Sequence, residues 1–214
     1  MQNKVMTGLT MLAAAAVLAA CGGNDSVEQK NTPASVSGVF LDAAVEGLEY
    51  AANGASGATK QSTSASGGFT CLSGETVAFN VGGINLGSGV CSATITPLTL
   101  AGSDKLRDDK VVNRLLALQL LDTDNDPSNG IQISTAVKTA LASQTLDFGL
   151  APAAFNTAMS GVLAKLPTNY QSRTVDNDRR TLVSEHFEDT LASKMATPFV
   201  ETITQTNTQT NTLG

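Results

Sequence analysis

The chain has 214 residues, a formal net charge of −6 and an isoelectric point near 4.7. This acidic balance excludes a typical nucleic-acid-binding protein, because neutralising phosphates requires clustered lysine and arginine. Aromatic residues make up only 4% of the chain and tryptophan is missing, which argues against aromatic stacking platforms for sugars or bases.

The first twenty residues are typical of a secretory signal peptide. Lys4 precedes an apolar, alanine-rich run over residues 5–20, which is shorter than the roughly 20 apolar residues of a comfortable transmembrane helix. The run ends in Leu18-Ala19-Ala20-Cys21, which resembles the lipobox of bacterial lipoproteins. The resemblance implies cleavage before Cys21, diacylglycerol on its thiol and an acylated new amino terminus. The alternative is an ordinary secreted protein in which Cys21 is a chance cysteine.

Gly22 follows the predicted lipidation site. In enteric bacteria, aspartate at that position retains a lipoprotein in the inner membrane. The resemblance therefore implies lipid anchoring at the outer membrane, on the periplasmic side or at the cell surface. Buried acyl chains, at roughly 0.8 kcal/mol per methylene, would make the anchor firm. Residues 21–35 are polar and predict a flexible tether between the lipid and the folded region.

Cys71 and Cys91 are the cysteines that remain once Cys21 carries lipid. Disulfides persist outside the cytosol, so we expect these two residues to be bonded. The bond would close a loop of about 20 residues, worth roughly 3 kcal/mol by restricting the unfolded chain. The alternative is a pair of buried free thiols.

Residues 36–100 predict a small antiparallel β-sandwich. Short runs rich in Val, Ile, Phe and Thr are separated by glycine-containing turns at roughly ten-residue spacing. Val77, Phe79 and Val81 show the period of two expected of a strand with one buried face.

The same segment carries a family pattern. The stretch Gly38-Val39-Phe40-Leu41-Asp42-Ala43-Ala44-Val45-Glu46-Gly47-Leu48, then Gly67-Gly68-Phe69 and Gly74-Glu75-Thr76-Val77, resembles the carboxypeptidase regulatory-like (transthyretin-like) β-sandwich as seen in proteobacterial surface proteins. The resemblance covers about sixty residues. It implies a module that binds, presents or spaces and that is not catalytic.

Residues 101–197 predict a bundle of about four helices. Apolar residues recur at helical spacing in each segment. Ser103 or Asp104 is predicted to cap the first helix, and Ser134 the second. Pro152 is well placed in the first turn of the third. The first predicted helix runs from its cap at Ser103 or Asp104 to about Leu121. The other three run from Thr135 to about Ala142, from Pro152 to Leu166, and from about Asp178 to Met195. Residues 198–214 are rich in Thr, Asn and Gln and predict a disordered tail.

The segment from Leu121 to Gly130 is the strongest candidate site. Asp122, Asp124 and Asp126 alternate, and Asn129 follows, which suits the oxygen ligands that calcium prefers. Pro127 and Ile133 stand where a full EF-hand loop has glycine and glutamate, so only a looser calcium site is possible. The alternative is a polar loop that ends a helix and needs no ion.

Catalytic residues are not apparent. His186 is the only histidine, which leaves no histidine-rich zinc site, and no Gly-x-Ser-x-Gly motif is present. We expect a non-enzymatic, lipid-anchored envelope lipoprotein that binds the membrane through its anchor and an envelope or extracellular protein or glycan through its folded region. A calcium-stabilised surface protein is the alternative, and an envelope hydrolase is less favoured.

Overall fold

A computed structural model describes residues 33–53 and 61–206 of the chain. These residues form a mixed α+β fold with six α-helices and three small sheets, which confirms the predicted class. The predicted signal peptide, Cys21, most of the tether and the end of the tail lie outside the described residues. Of the helices described, none has both the length and the hydropathy of a membrane-spanning segment.

Eight short strands occupy the first part of the described chain. They are β1 Ser35–Phe40, β2 Val45–Glu46, β3 Glu49–Asn53, β4 Gln61–Ser62, β5 Gly68–Leu72, β6 Thr76–Val81, β7 Ile84–Val90 and β8 Thr94–Ile95. One sheet has the order β5-β1-β8, with β1 antiparallel to β5 and parallel to β8. A second, antiparallel sheet has the order β4-β3-β6-β7.

Aromatic side chains from the two larger sheets contact each other. Phe79 of β6 lies with its ring centroid 4.9 Å from that of Phe40 in β1 and 5.3 Å from that of Phe69 in β5. The alternation predicted for β6 is confirmed, because Val77, Phe79 and Val81 are all fully buried. Aromatic contacts therefore join the two sheets in one apolar cluster.

A disulfide also joins the two sheets. Cys71 in β5 is bonded to Cys91, which directly follows β7, and their Cα atoms are 5.9 Å apart. The predicted pairing is confirmed. The bond fixes an edge strand of the three-stranded sheet to the end of an edge strand of the four-stranded sheet.

Six helices follow the strands. They are α1 Pro97–Ala101, α2 Asp109–Leu121, α3 Thr135–Ala140, α4 Pro152–Leu163, α5 Thr168–Gln171 and α6 Asn177–Thr206. Ser134 caps α3 by accepting from the amide of Val137, and Pro152 stands in the first turn of α4, as the sequence predicts. The helix α6 continues to Thr206, beyond the predicted end near Met195.

The predicted start of the first helix is wrong. Neither Ser103 nor Asp104 caps it; α2 begins after Asp108, whose carboxylate accepts from the amide of Lys110. The preceding residues form the separate helix α1, which ends at Gly102 with a φ of 62°. Glycine adopts this left-handed backbone conformation easily, and a residue in that conformation ends a helix. A new cap, Asp108, is therefore needed before α2 can begin.

A short parallel pairing connects the strand-rich and helical parts. Strand β9, Ile131–Gln132, lies between α2 and α3 and pairs with β2. The amide of Ile131 donates to the carbonyl of Ala44 at 2.9 Å, and that of Ile133 to the carbonyl of Glu46 at 2.9 Å. Strands and helices also share one apolar core, in which Leu115 and Phe155 are fully buried. The candidate loop is thereby held between β9 and the end of α2.

Candidate functional site

The loop over residues 122–130, called the aspartate loop here, connects α2 to β9. Asp122 ends the helix and is fully buried. One of its carboxylate oxygens accepts from the amide of Gln132 at 2.8 Å, and the other from the amide of Asp126 at 3.0 Å. Both oxygens of this buried carboxyl are therefore occupied by backbone donors, which offsets the cost of burying it.

The other aspartates also bond within the loop. Asp124 accepts from the amide of Asp126 at 3.0 Å and from the side-chain nitrogen of Asn129 at 2.9 Å. Asp126 accepts from the amide of Ser128 at 3.1 Å and from its hydroxyl at 2.6 Å. These are turn-forming bonds in which an aspartate caps the backbone a few residues later. They account for the alternation of aspartates without an ion.

Calcium ligands converge on one point and present oxygen lone pairs to it. In the aspartate loop those lone pairs face amide donors, and Asn129 turns its nitrogen to Asp124. The described part of the chain contains no group of three or more His, Cys, Asp or Glu side chains arranged to hold a metal ion. The residues present thus fit a self-bonded loop better than a cation site, and the calcium site stays a prediction.

Two of the aspartates differ in acidity. Burial raises the pKa of Asp122, and the nearby charge of Asp124 adds to that effect. The amide of Asn129 lowers the pKa of Asp124, with the backbone amide of Asp126 contributing in the same direction. At neutral pH the loop therefore keeps a charged carboxylate at Asp124 on its exposed side.

Arg173, which follows α5, holds the aspartate loop from outside. Its guanidinium donates to the carbonyl of Leu120 at 2.8 Å, to that of Thr123 at 3.2 Å, and to that of Asp122. The same group lies over the ring of Tyr170, 4.1 Å from its centroid. A planar, permanently charged fork can satisfy several carbonyls at a helix end at once. Arg173 thereby fixes the end of α2 and the start of the loop.

Arg179, in the first turn of α6, approaches the same loop. Its guanidinium donates to the side-chain oxygen of Asn125 at 3.0 Å. Asn125 has a φ of 62°, a left-handed conformation that asparagine tolerates better than most residues. The start of α6 is fixed in turn by Asp176, whose carboxylate accepts from the amide of Arg179 at 2.8 Å.

A cleft of about 390 Å³ opens between the aspartate loop and the segment from α5 to α6. Arg173 and Arg179 line it together with polar side chains from both sides, among them Thr123, Asp124, Asn169 and Ser172. Sequence reasoning identified the aspartates but missed both arginines. No local pattern could have found them, because residues about 50 positions apart are brought together only by the packing of the helices.

Another network missed by sequence reasoning lies under the helices. Arg180 is 7% exposed; it donates to the side-chain oxygen of Asn113 at 2.7 Å and pairs with Asp109 at 3.4 Å. Asn113 in turn donates to the carbonyls of Phe148 and Leu150, at 3.0 and 2.9 Å. Each of these contacts satisfies a group within the fold, so the network positions α2 against α6 and is not a ligand site.

His186 is half-buried on α6. Its Nε2 atom is buried and has no hydrogen-bond partner in the described part of the chain. Burial lowers the pKa of this imidazole, against the opposing charges of Asp189 and Asp126. A general base needs a nucleophile within hydrogen-bond reach, and no hydroxyl or thiol of the described residues is bonded to this nitrogen.

The described residues therefore offer a polar cleft with two fixed guanidinium groups. Such a cleft can bind and orient a ligand. Comparison with known proteins finds no matching family model, no matching curated protein and no matching solved structure.

Proposed function

We propose that this chain is a bacterial envelope lipoprotein, anchored at the outer membrane by lipid on Cys21, whose folded region is a non-catalytic binding, adhesion or assembly module. The observation that carries the proposal is Leu18-Ala19-Ala20-Cys21 at the end of an apolar run. The disulfide between Cys71 and Cys91 supports it, because such bonds persist in oxidising compartments and are rare in the cytosol.

The folded region would act as a rigid presenter. In this proposal the two larger sheets are the layers of a β-sandwich, followed by a helical bundle that supports it. The contacts among Phe40, Phe69 and Phe79 across the two sheets support that arrangement. The partner would be an envelope or extracellular protein or glycan, while the acidic chain disfavours nucleic acid.

A binding role fits the polar groups better than catalysis. The only histidine, His186, has its Nε2 atom buried without a partner. The carboxylates of the aspartate loop accept bonds from the loop itself and are committed to its shape. Acid–base catalysis needs a group free to exchange a proton with a ligand, and these groups are not placed for it.

The anchor is tested by following lipid on Cys21. The full chain would be produced in a Gram-negative bacterium fed a radiolabelled fatty acid, beside the Cys21→Ser variant. We expect label on the wild-type chain in the outer-membrane fraction and none on the variant. The double variant Cys71→Ser/Cys91→Ser is the matched control, because it also loses cysteines but should keep its label. An unlabelled wild-type chain, or label that survives in Cys21→Ser, would contradict the anchor.

The non-catalytic role needs its own test. The lipidated chain, purified in detergent, would be incubated with envelope extract, captured, and probed for bound protein and glycan. The same preparation would be assayed with chromogenic ester and glycoside substrates. We expect stable capture without turnover. Turnover that follows the amount of wild-type chain and disappears on unfolding would overturn the proposal in favour of a hydrolase.

A further inference from the structure

Two arginines line the cleft beside the aspartate loop, and the carboxylates of Asp122 and Asp124 act on Arg173 only through their charge at longer range. Neither Arg173 nor Arg179 forms an ion pair with any residue in the described part of the chain, whereas Arg107 and Arg180 do. Both unpaired arginines are half-buried. Two like charges at one cleft repel each other, so their proximity favours a negative charge between them.

Each guanidinium retains donor capacity. An arginine has five N–H donors. Within the described part of the chain Arg173 uses Nη1 and Nη2 for its three carbonyl contacts and Arg179 uses only Nη2, so unused Nη donors remain on both residues, whereas their Nε atoms are buried without a partner and out of reach of a ligand. Arg173 is fixed by backbone carbonyls and by Tyr170, and Arg179 by Asn125. Burial lowers the pKa of Arg173, against the opposing effects of Tyr170, Asp122 and Asp124, and the charge of Arg179 acts in the same direction as burial. The cleft thus holds its donors in place before any ligand arrives, which reduces the entropic cost of binding.

The rest of the lining is polar and neutral, apart from one carboxylate. The side chains of Asn169, Ser172 and Thr174 are exposed and make no hydrogen bond within the described part of the chain. Asp124 adds one negative charge, and its oxygens are turned to Asn129 and to the amide of Asp126. Among the side chains that line the cleft, two arginines and one aspartate leave an excess of one positive charge, and the carboxylate of Asp122 acts on Arg173 from outside the lining. That excess of positive charge suits a ligand with one acidic group, either a carboxylate or a phosphate, and hydroxyl groups around it.

We propose that this cleft binds a small hydroxylated ligand that bears one oxyanion, namely a sugar acid or a sugar phosphate. The oxyanion lies against Arg173 and Arg179, where a planar fork matches carboxylate or phosphate oxygens. The hydroxyl groups bond to Asn169, Ser172 and Thr174. The volume of about 390 Å³ lies in the range of small-molecule sites. This inference deepens the binding role proposed above and rests on it.

The test is calorimetric titration of the full chain in detergent at low ionic strength, where charge-assisted binding is least screened. Glucuronate and glucose 6-phosphate are the probes, and their relative affinities distinguish the two forms of oxyanion. Glucose and acetate each lack half of the required chemistry. We expect at least one probe to bind about tenfold more tightly than both controls, which corresponds to about 1.4 kcal/mol. Equal affinities for all four compounds, or no binding by either probe, would overturn the proposal.

Arg179→Gln is the decisive variant, because it removes a charge from the cleft and leaves the carbonyl contacts of Arg173 in place. We expect a loss of about tenfold or more in affinity for the preferred probe. Arg107→Gln is the matched control, since Arg107 pairs with Glu188 outside the cleft and its loss should not alter binding. An unchanged affinity in Arg179→Gln would overturn the proposal. If that variant unfolds, Ser172→Phe blocks the cleft instead and should abolish binding.

The anchor and the cleft can fail separately. The intact mass of the purified chain reports lipid on Cys21, whereas the titration reports the cleft. A chain without lipid that still binds a probe through Arg179 contradicts the anchor and supports the cleft. A lipidated chain that binds neither probe contradicts the cleft and leaves the anchor standing.

Discussion

Gln119 donates from its side-chain nitrogen to a carboxyl oxygen of Asp42 at 3.3 Å. Asp42 is fully buried and Gln119 is 2% exposed, and the same amide nitrogen also approaches the carbonyl of Val183 at 3.4 Å. The second carboxyl oxygen of Asp42 has no partner among the described residues. Burial raises the pKa of Asp42 well above its ordinary value, against the opposing bond from Gln119. A buried carboxyl with one weak bond is expected to be neutral in the folded chain.

Asp42→Asn should therefore stabilise the protein at neutral pH. The pKa of Asp42 is higher in the folded chain than in the unfolded chain, where it is near 3.8. The stability that the wild-type residue contributes is therefore fully present below pH 3.8 and is lost as the pH rises towards the folded-state pKa. Asparagine is neutral at every pH and keeps the shape of the carboxyl. We expect a gain of roughly 1–3 kcal/mol at pH 7 that becomes smaller towards pH 4. Urea denaturation at several pH values measures it.

Asp104→Asn is the matched control for this prediction. Asp104 is exposed, and its replacement also removes one negative charge from the chain. The control should change stability by less than about 0.5 kcal/mol, as surface substitutions usually do. A difference between Asp42→Asn and wild type that stays constant from pH 5 to pH 8 would show that Asp42 is not neutral in the folded state.

The disulfide predicts a second measurable effect. Cys71→Ser/Cys91→Ser should lower the free energy of unfolding by about 3 kcal/mol, because the bond closes a loop of 20 residues in the unfolded chain. Thermal unfolding with and without a reducing agent measures it. Reductant should lower the melting temperature of the wild type and leave the double variant unchanged. Equal melting temperatures for both proteins without reductant would contradict the prediction.

The sequence predicted those strands and helix ends that depend on neighbouring residues. The alternation of Val77, Phe79 and Val81 predicts β6, and Ser134 predicts the start of α3. Both are confirmed, because a strand pattern and a cap depend on residues only a few positions apart. The cap of α2 was missed because the choice among several possible caps is not local. Ser103, Asp104 and Asp108 are all good caps, and only the left-handed Gly102 and the path of α1 decide among them.

The cleft could not be predicted in this way. The pairing of β2 with β9 joins residues 45–46 to 131–132, and neither two-residue strand has a recognisable pattern of its own. Arg173 and Arg179 are more than 40 residues from the carbonyls and the amide that they contact. Sequence reasoning identified the aspartates of the loop as ligand-type residues but not the cations that face them. A site whose residues are brought together only by tertiary packing produces no repeating pattern in a single sequence.

Arg173→Ala should destabilise the end of α2 and the aspartate loop. Three backbone carbonyls lose a charged donor, and the face of Tyr170 loses its cover. We expect a cost of about 2–4 kcal/mol. Hydrogen exchange should become faster at the amides of Asp126 and Gln132, which the loop carboxylates hold.

Arg107→Ala provides the comparison for that variant. Arg107 is exposed and pairs with Glu188 at 3.0 Å, so its loss should cost less than about 1 kcal/mol. If Arg173→Ala and Arg107→Ala have the same stability, then Arg173 does not hold the loop. Faster exchange throughout the helices, and not only at the loop, would instead indicate that Arg173 supports the whole fold.

Calcium gives the last test of how the aspartate loop is held. If its carboxylates are committed to backbone donors, millimolar calcium should leave the melting temperature of the wild-type chain unchanged, and a chelator should have no effect. Asp124→Asn should then behave like the wild type in both solutions. If the loop does bind calcium, the ion must replace the bonds from Asn129 and from the amide of Asp126, and the chain must melt at a higher temperature with calcium. Because Asp124 supplies a carboxylate to any such site, a calcium-dependent rise that disappears in Asp124→Asn would contradict the self-bonded loop and assign the ion to these oxygens.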